Sequence, residues 1–189
     1  METAFRTHTC GELTAENVGE TVRLAGWVES NRDHGGLIFI DLRDRYGITQ
    51  CVFNPETDAE AHADAEALHG QYVAVIEGEA EARPEEMINP KLPTGEIEVR
   101  GRSTRMLSAS EASPMQVSDQ CEAGEDVRLR YRYLDLRRPV MQRNLVTRHA
   151  MIRTMRRVLE EEQFVEVETP LLTKSTPEGA RDFLVPSRV

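Results

Sequence analysis

Phe39, Gln50 and Arg32 have the types and spacing to handle a flat, hydrogen-bonding ligand. In LIFIDLRD, Phe39 lies on the face opposite Ile38 and Ile40, so an extended backbone would project its ring outward, where it can stack on a base. Gln50, in the middle of ITQCVFN, carries an amide that both donates and accepts, as a uracil edge requires. Arg32 supplies a donor fork for a guanine edge or a phosphate. From spacing alone the same residues also fit an ordinary strand surface. Metal chemistry has no comparable set: Cys10, Cys51 and Cys121 are far apart, and the five histidines pair with no Cys or carboxylate at ligand spacing. No metal and no disulfide framework are expected, and reduced thiols fit a reducing compartment.

The elements that must position these side chains are legible as periodicity. From Glu20 to Asn31, Val22, Leu24, Gly26 and Val28 alternate with Arg23, Ala25, Trp27 and Glu29, which predicts a long half-buried strand. The turns at residues 33–36 and 45–47 separate it from two further strands, LIFIDLRD and ITQCVFN, as antiparallel hairpins. Residues 57–69 are alanine-rich and predict a helix, with Gly70 placed for a left-handed C-cap. A fourth strand is expected in YVAVIEGEAEA and a fifth in GEIEVRGRSTRML, separated by a proline-punctuated loop. Three strands, a helix and two strands is the order of the OB-fold, a five-stranded Greek-key barrel with one helix; another small barrel is the alternative.

Beyond the barrel, residues 108–126 have a connector's composition, rich in Ser, Glu, Pro and Gly. From Met141 to Gln163 the period becomes helical, with Leu145, Ile152 and Leu159 recurring at seven and Met151, Met155 and Val158 widening the stripe. Arginines come early and Glu160 to Glu162 late, against the helix macrodipole, so tertiary contacts are expected to hold this helix. FVEVETP then predicts a strand ended by Pro170, and the piece reads as a domain interrupted rather than completed.

The 189 residues suffice for a small domain plus part of a second, and 39% hydrophobic with 30% charged residues is the balance of a folded chain. No run of about 18 apolar residues and no basic-then-apolar leader is present, so the cytoplasm is expected and no membrane. The net charge of -10 argues against a polyanion partner until its distribution is considered. Residues 54–86 hold ten acidic residues and one base, Arg83, whereas residues 128–157 hold ten arginines. Only Lys91 and Lys174 are lysines, and arginine suits bidentate phosphate contact, although genome composition would give the same bias.

Three stretches carry a more specific signal: RLRYRYLDLRRP at 128–139, FVEVETPLLTKSTPEGARDFLVPSR at 164–188, and GWVESNRDHGGLIFIDLRDRYGITQ at 26–50. Together they resemble the bacterial-type aspartyl-tRNA synthetase, a class II aminoacyl-tRNA synthetase. The resemblance covers nearly the whole chain, most loosely over 59–82 and the connector. It implies an OB-fold anticodon-binding domain at 1–107, a hinge at 108–140, and at 141–189 the truncated start of an α+β class II catalytic domain. The late helix and strand would be that class's motif 1, a dimer interface that includes Pro170; an ordinary core helix would show the same stripe. A lysyl or asparaginyl relative has a similar barrel, but YRYLDLRR and TPEGARD favour the aspartyl type. A free-standing OB-fold RNA-binding protein is the rival from another class, and it would have no use for the tail.

By the same resemblance, Phe39 and Gln50 take the central anticodon uracil, and Arg32 lies with Arg83, Asn89 and Glu98 near the first anticodon base. His34, where selective relatives carry a leucine, together with Glu86 and Met87, resembles the non-discriminating type that charges both tRNA(Asp) and tRNA(Asn); a discriminating enzyme for tRNA(Asp) only is the alternative. Glu178 matches a loop carboxylate that would meet the ammonium group of L-aspartate, and the arginines of YRYLDLRRP would contact the tRNA backbone. ATP and Mg2+ are implied for the full-length aspartate-tRNA ligase, a homodimer whose Asp-tRNA(Asn) would pass to an amidotransferase. Motifs 2 and 3, which hold ATP, are not in these residues. No catalytic residue is therefore assigned, and the 189 residues alone are expected to bind no cofactor and to be inactive.

Overall fold

The computed structural model describes residues 3–172 and 185–186. Five strands carry the first part of the chain: β1 (Thr21–His34), β2 (Leu37–Arg43), β3 (Ile48–Phe53), β4 (Val73–Ala82) and β5 (Ile97–Ser108). They close into a barrel in the order β1-β2-β3-β5-β4, with β1 also paired to β4. All pairings are antiparallel except β3 with β5, which meet in parallel at Cys51 opposite Val99 and Val52 opposite Arg100.

Alternation decides which side chains enter the barrel. Val22, Leu24, Val28, Ile38, Ile40, Leu42, Cys51, Phe53, Ile76, Ile97 and Val99 are buried and pack into one core. Each large aliphatic side chain sealed there contributes about 1.5–3 kcal/mol of transfer free energy. Phe53 needs Gly101 beside it, since a Cβ at that glycine would lie 2.2 Å from the ring. β1 is longer than its alternation suggested: a bulge between Val28 and Ser30 resets the register, and the strand runs on to His34. Gly35 and Gly36, at φ of 64° and 83°, then form the two-residue turn into β2, a backbone that favours glycine at both places.

Helix α1 (Ala59–Glu66) covers the barrel with Ala61 and Ala65, and the Asp58 carboxylate accepts from the Ala61 N–H at 2.9 Å as its N-cap. Its C-terminus differs from expectation. Gly70 is not left-handed; the positive φ belongs to Gln71, at 69°. The amide of Asn31 donates to the carbonyls of Ala65 and Leu68 at 2.8 and 2.6 Å, so a side chain from β1 satisfies groups that a glycine cap would otherwise serve.

The segment after β5 forms two short helices, α2 (Glu125–Arg130) and α3 (Arg132–Asp135), and a small cluster of Met115, Val117 and Leu134 separate from the barrel core. Helix α4 (Pro139–Glu161) follows. The chain divides into two compact units, 1–142 and 143–189. In the second unit the α4 residues Leu145, Met151, Ile152, Met155, Val158 and Leu159 are exposed. Arg156 forks onto Glu166 at 2.9–3.1 Å. The strand expected in FVEVETP is absent, since residues 164–170 have no ladder partner among the described residues and a strand requires one.

Candidate nucleic-acid interface

Strand register alone brings the outward residues together. Arg32 is paired with Phe39, Ser30 with Asp41, and Asp41 in turn with Gln50, so all five project from the same wall of the barrel. That wall forms one side of an open groove of about 500 Å³ lined by Arg32, Asp33, His34, Phe39, Gln50, Arg83, Met87 and Glu98. Seven of the residues singled out from sequence therefore meet in one place. Glu86 and Asn89 do not line it: Glu86 is exposed on the short 3-10 turn, and the Asn89 carbonyl oxygen of the amide accepts from the Lys91 N–H at 3.1 Å. Pro170 is exposed in the second unit, and Glu178 lies outside the described residues.

The groove pairs its own charges. Arg83 is almost sealed, with 4% of its side chain exposed, and its Nε donates to the Ile97 carbonyl at 2.9 Å and faces the Glu98 carboxylate at 3.7 Å. Its Nη2 is buried with no hydrogen-bond partner. An unmet donor of this kind costs free energy unless something arrives to accept from it. Burial pushes the Glu98 carboxyl above its ordinary range, Arg83 pulls it back, and Glu81 adds to the rise. Phe39 and Gln50 are half-buried, which leaves a ring face and an amide edge available.

Sequence reasoning missed Asp41. Its Oδ2 accepts from Ser30 Oγ and Arg32 Nη2, both at 2.7 Å, and its Oδ1 accepts from Gln50 Nε2 at 3.2 Å. The signal was present, because Asp41 stands two residues beyond Phe39 and must share its face. With Arg32 and Arg83 balanced by Asp33, Asp41 and Glu98, the groove is no phosphate cradle. What it presents is one ring face and one amide edge, groups suited to a base rather than to a phosphate.

Three arginines of the segment after β5 are held by other protein groups. Arg137 lies 4.0 Å over the Trp27 ring, and its Nη2 donates to the Gln71 amide oxygen at 2.8 Å. Arg138 donates to the Ser118 carbonyl at 2.9 Å and to Asp135 at 3.0 Å, and Arg132 also pairs with Asp135. Arg132 and Arg138 hold residues 118–138 together, and Arg137 joins them to the barrel. Cys10 and Cys51 are buried, and burial raises both thiols well above their ordinary range, so neither is a reactive thiolate.

Comparison with known families matches this arrangement at both ends. Residues 22–107 match the family described as OB-fold nucleic acid binding domain, and residues 124–189 match tRNA synthetases class II (D, K and N). An Aspartate-tRNA(Asp/Asn) ligase of Halothermothrix orenii is 55% identical over 184 residues, covering 97% of this chain and 31% of the relative. That of Rubrobacter xylanophilus is 59% identical over 185 residues, covering 98% and 31%. The chain belongs to the class II aspartyl-tRNA synthetase family. It spans about a third of the length of these curated relatives.

Among solved structures, an asparaginyl-tRNA synthetase from Pyrococcus horikoshii complexed with asparaginyl-adenylate superposes with a TM-score of 0.77 at 28% identity, covering 91% of this chain and 38% of that one. A putative aspartyl-tRNA synthetase from Leishmania major reaches 0.78 at 20% identity, covering 89% and 36%, a likeness of fold. In this chain the OB match ends where β5 ends, and the class II match begins at α2.

Proposed function

We propose that this chain is the tRNA-selecting part of an aspartate-tRNA ligase that joins aspartate to tRNA at the expense of ATP. In that reaction aspartate and ATP give aspartyl-adenylate and pyrophosphate, and the acyl group then moves to the terminal ribose of the tRNA. Residues 1–107 serve as the anticodon-binding domain, 108–140 as the hinge, and 141–189 as the opening of the catalytic domain. ATP and Mg2+ belong to the whole enzyme, and no residue of this chain is assigned to them. Glu178 is proposed to meet the ammonium group of the substrate aspartate. The exposed apolar stripe of α4, with Pro170, supports a homodimer interface. No described helix is long and apolar enough to cross a membrane, and a cytoplasmic location is proposed.

One observation carries the reading: the outward Phe39 ring and the Gln50 amide share one groove with Arg32, Arg83 and Glu98. Phe39 stacks the central anticodon base, Gln50 meets its Watson-Crick edge, and Arg32, Arg83 and Glu98 lie near the first anticodon base. Asn89 contributes from the adjoining loop rather than from the groove itself. His34 and Met87 line the groove, with Glu86 next to Met87, and are proposed to relax selection so that both tRNA(Asp) and tRNA(Asn) are accepted. Asp-tRNA(Asn) made in this way requires an amidotransferase downstream, which supplies the remaining partner.

The test is binding of the 189-residue chain to fluorescent anticodon stem-loops carrying GUC or GUU, which differ in one base. Comparable affinity for both is expected, together with a loss of about tenfold or more in Phe39→Ala, the worth of one stacked base. Binding to GUC alone would exclude the dual range. Binding unaffected by Phe39→Ala would exclude the groove.

A further inference from the structure

Resting on the anticodon reading above, we infer that Asp41 is a positioning residue that fixes which way round the Gln50 amide faces, and thereby makes the groove choose uracil over cytosine. A carboxylate only accepts hydrogen bonds. Its Oδ1 stands 3.2 Å from the Gln50 amide, so the nitrogen of that amide must face it and the oxygen must not. The carboxylate is itself held from its other oxygen by Ser30 Oγ and Arg32 Nη2, both at 2.7 Å, and so cannot swing to accommodate the opposite orientation. Ser30 and Gln50 lie opposite Asp41 on the two neighbouring strands, so the arrangement is built into the sheet register.

An amide carries one acceptor and one donor side by side on its outward edge, and turning it over exchanges them. Uracil presents N3–H between two carbonyl oxygens, whereas cytosine presents an N3 lone pair beside an amino group. A base whose plane is set by stacking on Phe39 meets the Gln50 edge in one orientation. With the amide nitrogen tied to Asp41, Gln50 Oε1 accepts N3–H of uracil and the remaining N–H donates to a uracil carbonyl. Cytosine would place its N3 lone pair against Oε1. A glutamine free to turn would satisfy either base, so Asp41, which touches neither, supplies the selectivity.

The experiment measures affinity of the 189-residue chain for stem-loops with U or C at the central anticodon position. Wild type is expected to prefer U. Asp41→Asn, whose amide can accept from or donate to Gln50, is expected to narrow that preference by about tenfold or more, within the range of one bidentate base contact. Ser30→Ala removes one of the two bonds that hold the Asp41 carboxylate but not its bond to Gln50, and should narrow the ratio less than Asp41→Asn does. A folded Asp41→Asn chain that keeps the wild-type ratio overturns the inference. NMR of the free wild-type chain supplies a second readout that needs no variant: one Gln50 side-chain N–H should exchange slowly and the other fast. Two equally fast protons would also overturn it. A wild-type chain that binds neither stem-loop would refute the anticodon reading instead, leaving the NMR result to decide the orientation of Gln50 by itself.

Discussion

At the scale of single residues, Glu98 shows how the groove stores an electrostatic cost. Burial favours the neutral carboxyl more than Arg83 favours the charged one, and the net effect is a raised proton affinity in the folded chain. The folded state therefore holds this proton more tightly than the unfolded state does. The stability this contributes is fully present below the ordinary value of 4.5 and is lost as pH rises through the higher folded value. Glu98→Gln cannot titrate. Denaturant unfolding across the acid range should accordingly show wild type losing stability relative to Glu98→Gln as pH rises to neutral. A difference that is flat or runs the other way would mean that the Arg83 contact outweighs burial. Glu98 lies 3.7 Å from Arg83 Nε and leaves the buried Nη2 without a partner.

Between the elements, the contact of widest consequence is that of the segment after β5 with the barrel. Arg137 stacks on Trp27 of β1, and Arg43 of β2 donates to the Arg137 carbonyl at 3.2 Å while its Nε pairs with Glu29 at 2.6 Å. Burial, then repulsion from Arg43, with Glu29 opposing, lowers the Arg137 guanidinium to about 10, so it remains charged at neutral pH. A partly desolvated cation over a Trp face is worth about 2 kcal/mol. Arg137→Ala should speed amide exchange across α2 and α3 by about tenfold or more while the barrel strands keep their protection. Loss of protection in both together would show that the barrel and the two short helices unfold as one. Sequence periodicity already located all five strands and both long helices to within a few residues, because alternation and the helical period reflect burial directly. The Arg137–Trp27 contact was not legible, since its partners lie 110 positions apart and only closure of the barrel decides that they meet. The same holds for Asn31 replacing a glycine at the end of α1, and for FVEVETP, whose alternation specifies a strand but not the neighbour that would complete it. Phe39 and Gln50 were legible as outward residues, whereas Asp41 was hidden by its ordinary appearance as a surface carboxylate.

For the whole molecule, the charge of -10 and the arginine bias pull in opposite directions, and the structure shows how they are reconciled. On the barrel, Arg6 pairs with Asp44, Arg23 with Glu77, Arg32 with Asp41, Arg43 with Glu29, and Arg100 and Arg102 with Glu79. These cations are already paired within the protein and would release few counterions to an RNA. The salt dependence of binding reports the number of phosphates neutralised, at about 0.7 per phosphate on a single strand. Groove binding to an anticodon loop should therefore show a log affinity against log salt slope of about -2 or shallower. Affinity would then depend far more on which base stands at the centre of the loop than on ionic strength. A steep slope with little preference among bases would place the RNA on exposed arginines outside the groove. It would separate backbone attraction from base reading in one titration series, since stacking on Phe39 and hydrogen bonding to Gln50 are local contacts that screening barely reaches.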